Sequence, residues 1–131
     1  MGKNSIVHFE LPVDDVARAS SFYQATFGWQ LTDMPELRYT TVTTAKTDAN
    51  GQPTEPGAIN GGMMKRSDQL SAPIVTIQVD DIEKALKTVE KNGGKRVQGK
   101  QAVGDMGFTG YFADSEGNVV GLWQLANGRG G

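Results

Sequence analysis

An α+β domain built from two βαβββ modules is the fold this sequence predicts. Apolar residues alternate in short strand-like runs and adopt helical spacing once in each half of the chain. Val13-Asp14-Asp15-Val16 recurs as Val79-Asp80-Asp81-Ile82, and Arg18-Ala19 as Lys84-Ala85, each sixty-six residues on. A length of 131 residues suits a single domain, residues 1–131. One module could not bury its sheet face alone, so the two are expected to pair.

Module one spans about residues 5–66. Residues 5–12 (SIVHFELP) alternate as a strand, with Val7, Phe9 and Leu11 against Ile6, His8 and Glu10. Asp14 or Asp15 then caps a helix to Phe27, in which Val16, Ala19, Phe22, Tyr23 and Phe27 keep the spacing of a buried stripe and Gly28 is the stop. Residues 29–34 and 38–46 read as strands, the second rich in β-branched residues. Residues 47–57 hold Asn-Gly and two prolines and form a loop; residues 58–65 are a further strand and 66–72 a polar connector.

Module two spans about residues 73–125. Residues 73–79 (PIVTIQV) are a strand. Asp80 caps a helix, with Glu83 completing a capping box, and the helix runs to Asn92 before Gly93-Gly94. Residues 95–100, 108–113 and 118–125 complete three strands, with Ser115-Glu116-Gly117 as a turn and 126–131 as a frayed tail. Gly62-Met63-Met64-Lys65 lies against Gly121-Leu122-Trp123-Gln124 in the repeat, at a shorter offset because module one carries the longer loop.

Composition excludes several classes. Thirteen Lys+Arg against fifteen Asp+Glu give a net charge of −2, without the basic surplus of a nucleic-acid or anionic-membrane binder. With no cysteine, the chain has no disulfide, thiolate nucleophile or Cys-ligated zinc, and its one histidine excludes any site made of several. The first residues carry no apolar signal region, and no run approaches a membrane span. A cytoplasmic location is expected.

VHFELPVDDVARASSFYQATFGW, then DDIEKALKTVEKNGGK, then YFADSEGNVVGLWQ resemble, in order and across residues 6–124, the vicinal oxygen chelate superfamily. That group contains glyoxalase I, extradiol dioxygenases and bleomycin-resistance proteins. The resemblance implies curved mixed sheets around a central cleft, with the helices on the outer face. It also implies a divalent metal in the metal-dependent members, held by up to four ligands from the first and last strands of each module. Carried onto this chain, those positions are His8, Gly62, Ile74 and Gly121. Only His8 retains a donor atom.

A catalytic metal needs about three protein donors in fixed geometry, and His8 with Glu10, two residues on, supplies two. No cofactor is therefore expected; a divalent ion on His8 and Glu10 is the alternative. By strand parity His8 faces the cleft, either as a base or hydrogen-bond anchor or as a histidine satisfied by a neighbour such as Glu10. Glu10, Thr76 and Gln78 share that parity, and line a wet pocket or meet solvent. Met64 and Trp123 share the parity of Gly62 and Gly121, and suit an apolar ligand or an internal contact.

The expected cleft is thus His8, Glu10, Gly62, Met64, Thr76, Gln78, Gly121 and Trp123, binding a small, partly apolar molecule without a catalytic metal. Two other functions remain: a metal-dependent lyase, isomerase or dioxygenase with an atypical site on His8 and Glu10, and an antibiotic-sequestering resistance protein. The expected partners are a small-molecule ligand and, from the exposed sheet edges, a second copy in a homodimer, with neither nucleic acid nor membrane.

Overall fold

A computed structural model describes residues 4–126; all but the first residue of the tail expected over 126–131 lies outside them. Eight strands and two α-helices follow one another as β1 (Ile6–Val13), α1 (Val16–Phe27), β2 (Gln30–Met34), β3 (Tyr39–Thr43), β4 (Gly61–Lys65), β5 (Ile74–Gln78), α2 (Ile82–Lys91), β6 (Lys95–Val103), β7 (Gly107–Ala113) and β8 (Val119–Leu125). The βαβββ order therefore occurs twice. A short 3-10 turn, Pro35–Leu37, joins β2 to β3 and has no sequence-based counterpart above. No helix among the described residues is long and apolar enough to cross a membrane.

The chain divides into two compact units, His8–Pro73 and the remainder from Ile74 onward together with the residues before His8. Strand order is β2-β3-β4-β1 in the first and β5-β8-β7-β6 in the second. In each, the module's first strand runs parallel to its last, and the other neighbours are antiparallel. The parallel pair follows from the helical crossover between first and second strands, which returns the chain to the far side of the sheet.

The repeat extends to the helix caps. Asp15 accepts from the Arg18 amide at 3.0 Å and Asp81 from the Lys84 amide at 3.1 Å, the same bond sixty-six residues apart. Asp81 is the cap of α2 in place of the expected Asp80, so Glu83 falls one position short of a capping box and acts through the helix dipole. The amide of Ile82, one of the first-turn donors, reaches the buried Gln124 side chain at 2.8 Å.

The two cores differ. In the unit from Ile74 onward, Ile82, Leu86 and Leu122 are buried, with Ile77, Val79, Ala85, Phe108 and Phe112 packed against them. In His8–Pro73, Val42 and Met63 are fully buried, but the stripe expected of α1 is corrected. None of its residues is buried, and Phe22 and Phe27 are 56% and 62% exposed. Val16, Ala19, Ser20 and Tyr23 make the half-buried face. The aromatic side chains pack on one another instead: Tyr23 stacks on Trp29 with centroids 4.9 Å apart, and Phe22 and Phe27 flank it.

Strand lengths also differ from expectation. β3 and β4 are shorter than residues 38–46 and 58–65, because the loop between them is tied at its base by Asn60, whose Oδ1 accepts from the Thr44 and Ala45 amides. β6 is longer than residues 95–100 and reaches Val103 through two register shifts against β7.

Candidate functional site

β1 and β4 pair in parallel with Glu10 opposite Gly62, and β3 places Thr41 opposite the same glycine. Alternation then gathers His8, Glu10, Tyr39, Thr41, Gly62 and Met64 on one face of the sheet in His8–Pro73. The other face carries Phe9, whose ring meets Trp29 at 6.1 Å, and Met63, whose sulfur lies 3.9 Å from the Ser20 hydroxyl.

At the centre of the first face is Tyr39. Its hydroxyl donates to Glu10 Oε2 at 2.8 Å and lies 2.7 Å from His8 Nε2. A phenol has one proton. Having given it to Glu10, Tyr39 must accept from His8, which assigns the Nε2–H tautomer and leaves Nδ1 as the acceptor nitrogen. The rings of His8 and Tyr39 are stacked at 6.4 Å, 16° from parallel. Burial pushes the His8 pKa below its ordinary value, and the Glu10 carboxylate opposes this in part. His8 is therefore neutral at pH 7.

Gly62 makes this arrangement possible. A Cβ there would overlap the Tyr39 phenol. Next to it, a Cβ on Gly61 would meet the Phe9 ring at 2.7 Å. The Gly61-Gly62 pair thus admits an aromatic ring against each side of the strand.

Four of the expected site residues, His8, Glu10, Gly62 and Met64, are therefore on one sheet face, and the first three meet Tyr39. Glu10 is 5% exposed, which departs from a residue meeting solvent. Tyr39 carries the site and was not among the sequence candidates. Its signal was the parity of YTTVT, readable only with the Thr41–Gly62 register in hand.

The remaining candidates belong to the other unit. Thr76 is opposite Gly121 and Gln78 opposite Trp123 on β5–β8, with Tyr111 of β7 opposite Gly121 from the other side. Thr76 is buried, while Gln78 and Trp123 are half-buried. The Trp123 ring lies over Gly107, its Cη2 and Cζ2 2.8 Å from where a Cβ would stand.

A separate cavity of about 320 Å3 lies in His8–Pro73, lined by Leu11, Val13, Asp14, Arg18, Tyr23 and Arg66 among others, and excludes His8, Glu10 and Tyr39. Its guanidinium at Arg66 is held by Asp14 at 2.9 Å and by the Ser71 carbonyl.

The residues present do not fit a four-ligand metal centre. Ile74 is apolar and buried, Gly62 and Gly121 offer no side-chain donor, and the space a longer side chain at 62 would need is taken by the Tyr39 phenol. Among the described residues no three of His, Cys, Asp or Glu gather to hold a metal ion.

Comparisons with known proteins agree with the fold. Residues 5–45 match the family described as bleomycin resistance protein-like, N-terminal. A glyoxylase-like domain-containing protein of Didymella fabae is 32% identical over 115 residues, covering 84% of this chain and 85% of that one. CFP32 of Mycobacterium bovis, named as a candidate glyoxylase, is 31% identical over 123 residues, and the match spans only 43% of its length. Among solved structures, methylmalonyl-CoA epimerase of Streptomyces coelicolor in complex with 2-nitronate-propionyl-CoA superposes with a TM-score of 0.63 over 96% of this chain and 99% of that one, at 15% identity. The epimerase of Mycobacterium tuberculosis gives 0.59 over 92% and 87%, at 14% identity. At such identities the likeness is one of fold. With the twice-repeated βαβββ module and the Didymella relative matched over most of both chains, this chain belongs to the glyoxalase- and bleomycin-resistance-like proteins of the vicinal oxygen chelate superfamily.

Proposed function

We propose that the chain binds a small, partly apolar molecule on the sheet face around His8, Tyr39, Gly62 and Met64, and does so without a catalytic metal. The observation that carries this reading is the Tyr39 phenol over Gly62, hydrogen-bonded to both His8 and Glu10. It spends the Nε2 proton of His8 and the hydroxyl proton of Tyr39 inside the array. What the face offers a ligand is then a phenol ring, a thioether at Met64 and the edge of a neutral imidazole, a set suited to flat apolar groups. The expected location remains the cytoplasm, and the expected partner besides the ligand remains a second copy, through the edge strands β2 or β6.

A second reading, an enzyme acting through His8 and Glu10, draws on the same geometry, since one hydroxyl connects the two groups and could pass a proton between them. A thermal-shift panel separates the two, because a ligand of the folded state raises its stability by mass action. Small aromatic molecules should raise the melting temperature, with Ni²⁺, Zn²⁺, Mn²⁺ and Fe²⁺ leaving it unchanged. Turnover of a hemithioacetal that requires added Ni²⁺ or Zn²⁺ and disappears in His8→Ala would favour the enzyme and sink the first reading.

A further inference from the structure

The cavity beside β1 and α1 has a counterpart in the other module, and there it is closed. Leu11, Val13 and Ala19 line it; sixty-six residues on, Ile77, Val79 and Ala85 pack against the core of Ile82, Leu86 and Leu122. The α1 residues equivalent to Ile82 and Leu86 are Val16 and Ser20, both smaller, and no residue of α1 is buried. The seam that one module fills with side chains thus stays open in the other as about 320 Å3, within the range of small-molecule pockets. Leu11 and Val13 alternate with Glu10 along β1, so the cavity lies on the helix side of the sheet and not on the His8 face.

The rim of this cavity has more donors than acceptors. Arg66 stands where the repeat has Leu125. Its Nε donates to Asp14 at 2.9 Å and an Nη to the Ser71 carbonyl, which fixes the guanidinium and leaves its other N–H groups for a ligand. The Arg18 side chain is 73% exposed, and its guanidinium is 4.0 Å from Asp15, beyond hydrogen-bond reach. Both aspartates already accept, Asp14 from Arg66 and Asp15 from the Arg18 amide. The wall is apolar, and the half-buried Tyr23 ring in it is held by its stack on Trp29. Two guanidiniums with N–H groups to spare beside such a wall suit a carboxylate carried on an apolar body.

We propose that this cavity binds a small carboxylate with an apolar body. Arg18 and Arg66 take the carboxylate, and the body lies against Leu11, Val13, Ala19 and the Tyr23 ring. The site is additional to the sheet face around His8 and does not depend on it.

Benzoate and benzamide test it, since they share a shape and differ in charge. Backbone amide shifts are followed during titration of the wild type, Arg18→Gln and Ala19→Leu. The first variant removes an exposed charge and the second fills the cavity without touching a charge. Benzoate should move the amides of Val13, Arg18 and Tyr23 and bind the wild type about fivefold more tightly than either benzamide does or Arg18→Gln binds benzoate. Its affinity should fall as salt is raised, and Ala19→Leu should not bind it. Equal binding of the two probes, or benzoate binding unchanged in Arg18→Gln, overturns the site. Binding that survives Ala19→Leu would put the anion on surface charge alone and overturns it too. Shifts confined to Thr41, Gly62 and Met64 overturn the cavity and support the sheet-face reading; an absence of shifts with benzoate overturns the cavity alone.

Discussion

The phenol of Tyr39 occupies the space that a side chain at Gly62 would need. In the superfamily that this chain belongs to, the sequence resemblance places a metal-binding carboxylate at that position. Here Gly62 offers no donor, the Tyr39 phenol from the adjoining strand fills the space beside it, and that phenol bonds the one histidine.

The fit between Tyr39 and Gly62 predicts a coupled pair. Gly62→Ala should destabilise the protein by about 1–3 kcal/mol, the usual cost of overpacking. In a Tyr39→Ala background the same substitution should cost much less, since the overlap is gone. Urea denaturation of the four proteins in the cycle measures the coupling. Independent, additive costs would mean that the ring does not fill that space.

Tyr39→Phe keeps the ring and removes the hydroxyl. Glu10 then loses a donor and His8 an acceptor, both inside a buried face. A loss of about 1–3 kcal/mol is expected in chemical denaturation. An unchanged midpoint would show that water serves both groups equally well.

His8 makes stability depend on pH in a definite direction. Its folded pKa is lowered by burial, so below the unfolded value of 6.5 the unfolded state takes up the proton first. Stability is full above that value and falls as pH drops through it toward the folded pKa, below which the loss is constant. Because the chain has one histidine, its ring resonances in a proton NMR titration report this group alone. A midpoint below 6.5 is expected; one at or above it would contradict the burial argument. His8→Gln should flatten the histidine part of the pH profile of urea unfolding.

In the other unit, the Gln124 side chain takes the Ile82 amide at the start of α2. Gln124→Leu should cost about 1–3 kcal/mol by leaving a buried first-turn N–H without its acceptor. Asp81→Ala, an exposed cap on the same helix, should cost about 1 kcal/mol. Thermal melts of both variants check the order, and a larger cost for the exposed cap would reverse it.

The repeat made most of the fold legible. Asp15 and Asp81 cap equivalent helices because the motif around them is duplicated, and the parity of IVHFELPV placed His8 and Glu10 together on β1. Asp80 and Asp81 have equal capping propensity, and only the backbone geometry makes Asp81 the cap. The exposure of Phe22 and Phe27 was hidden for another reason: helical spacing shows which residues share a stripe but not how far the sheet beneath extends. Tyr39 was out of reach because its contact depends on the β3–β4 register, set across a long loop rather than by any local pattern. Alternation likewise gives a face but not a depth, and the burial of Glu10 and Thr76 is visible only in the folded chain.

The metal content of protein purified without chelator tests the central proposal most directly. Mass spectrometry of the purified chain, beside His8→Ala and Tyr39→Phe, should find no stoichiometric transition metal in any of the three. One equivalent of iron, nickel, zinc or manganese in the wild type, lost in His8→Ala, would contradict it.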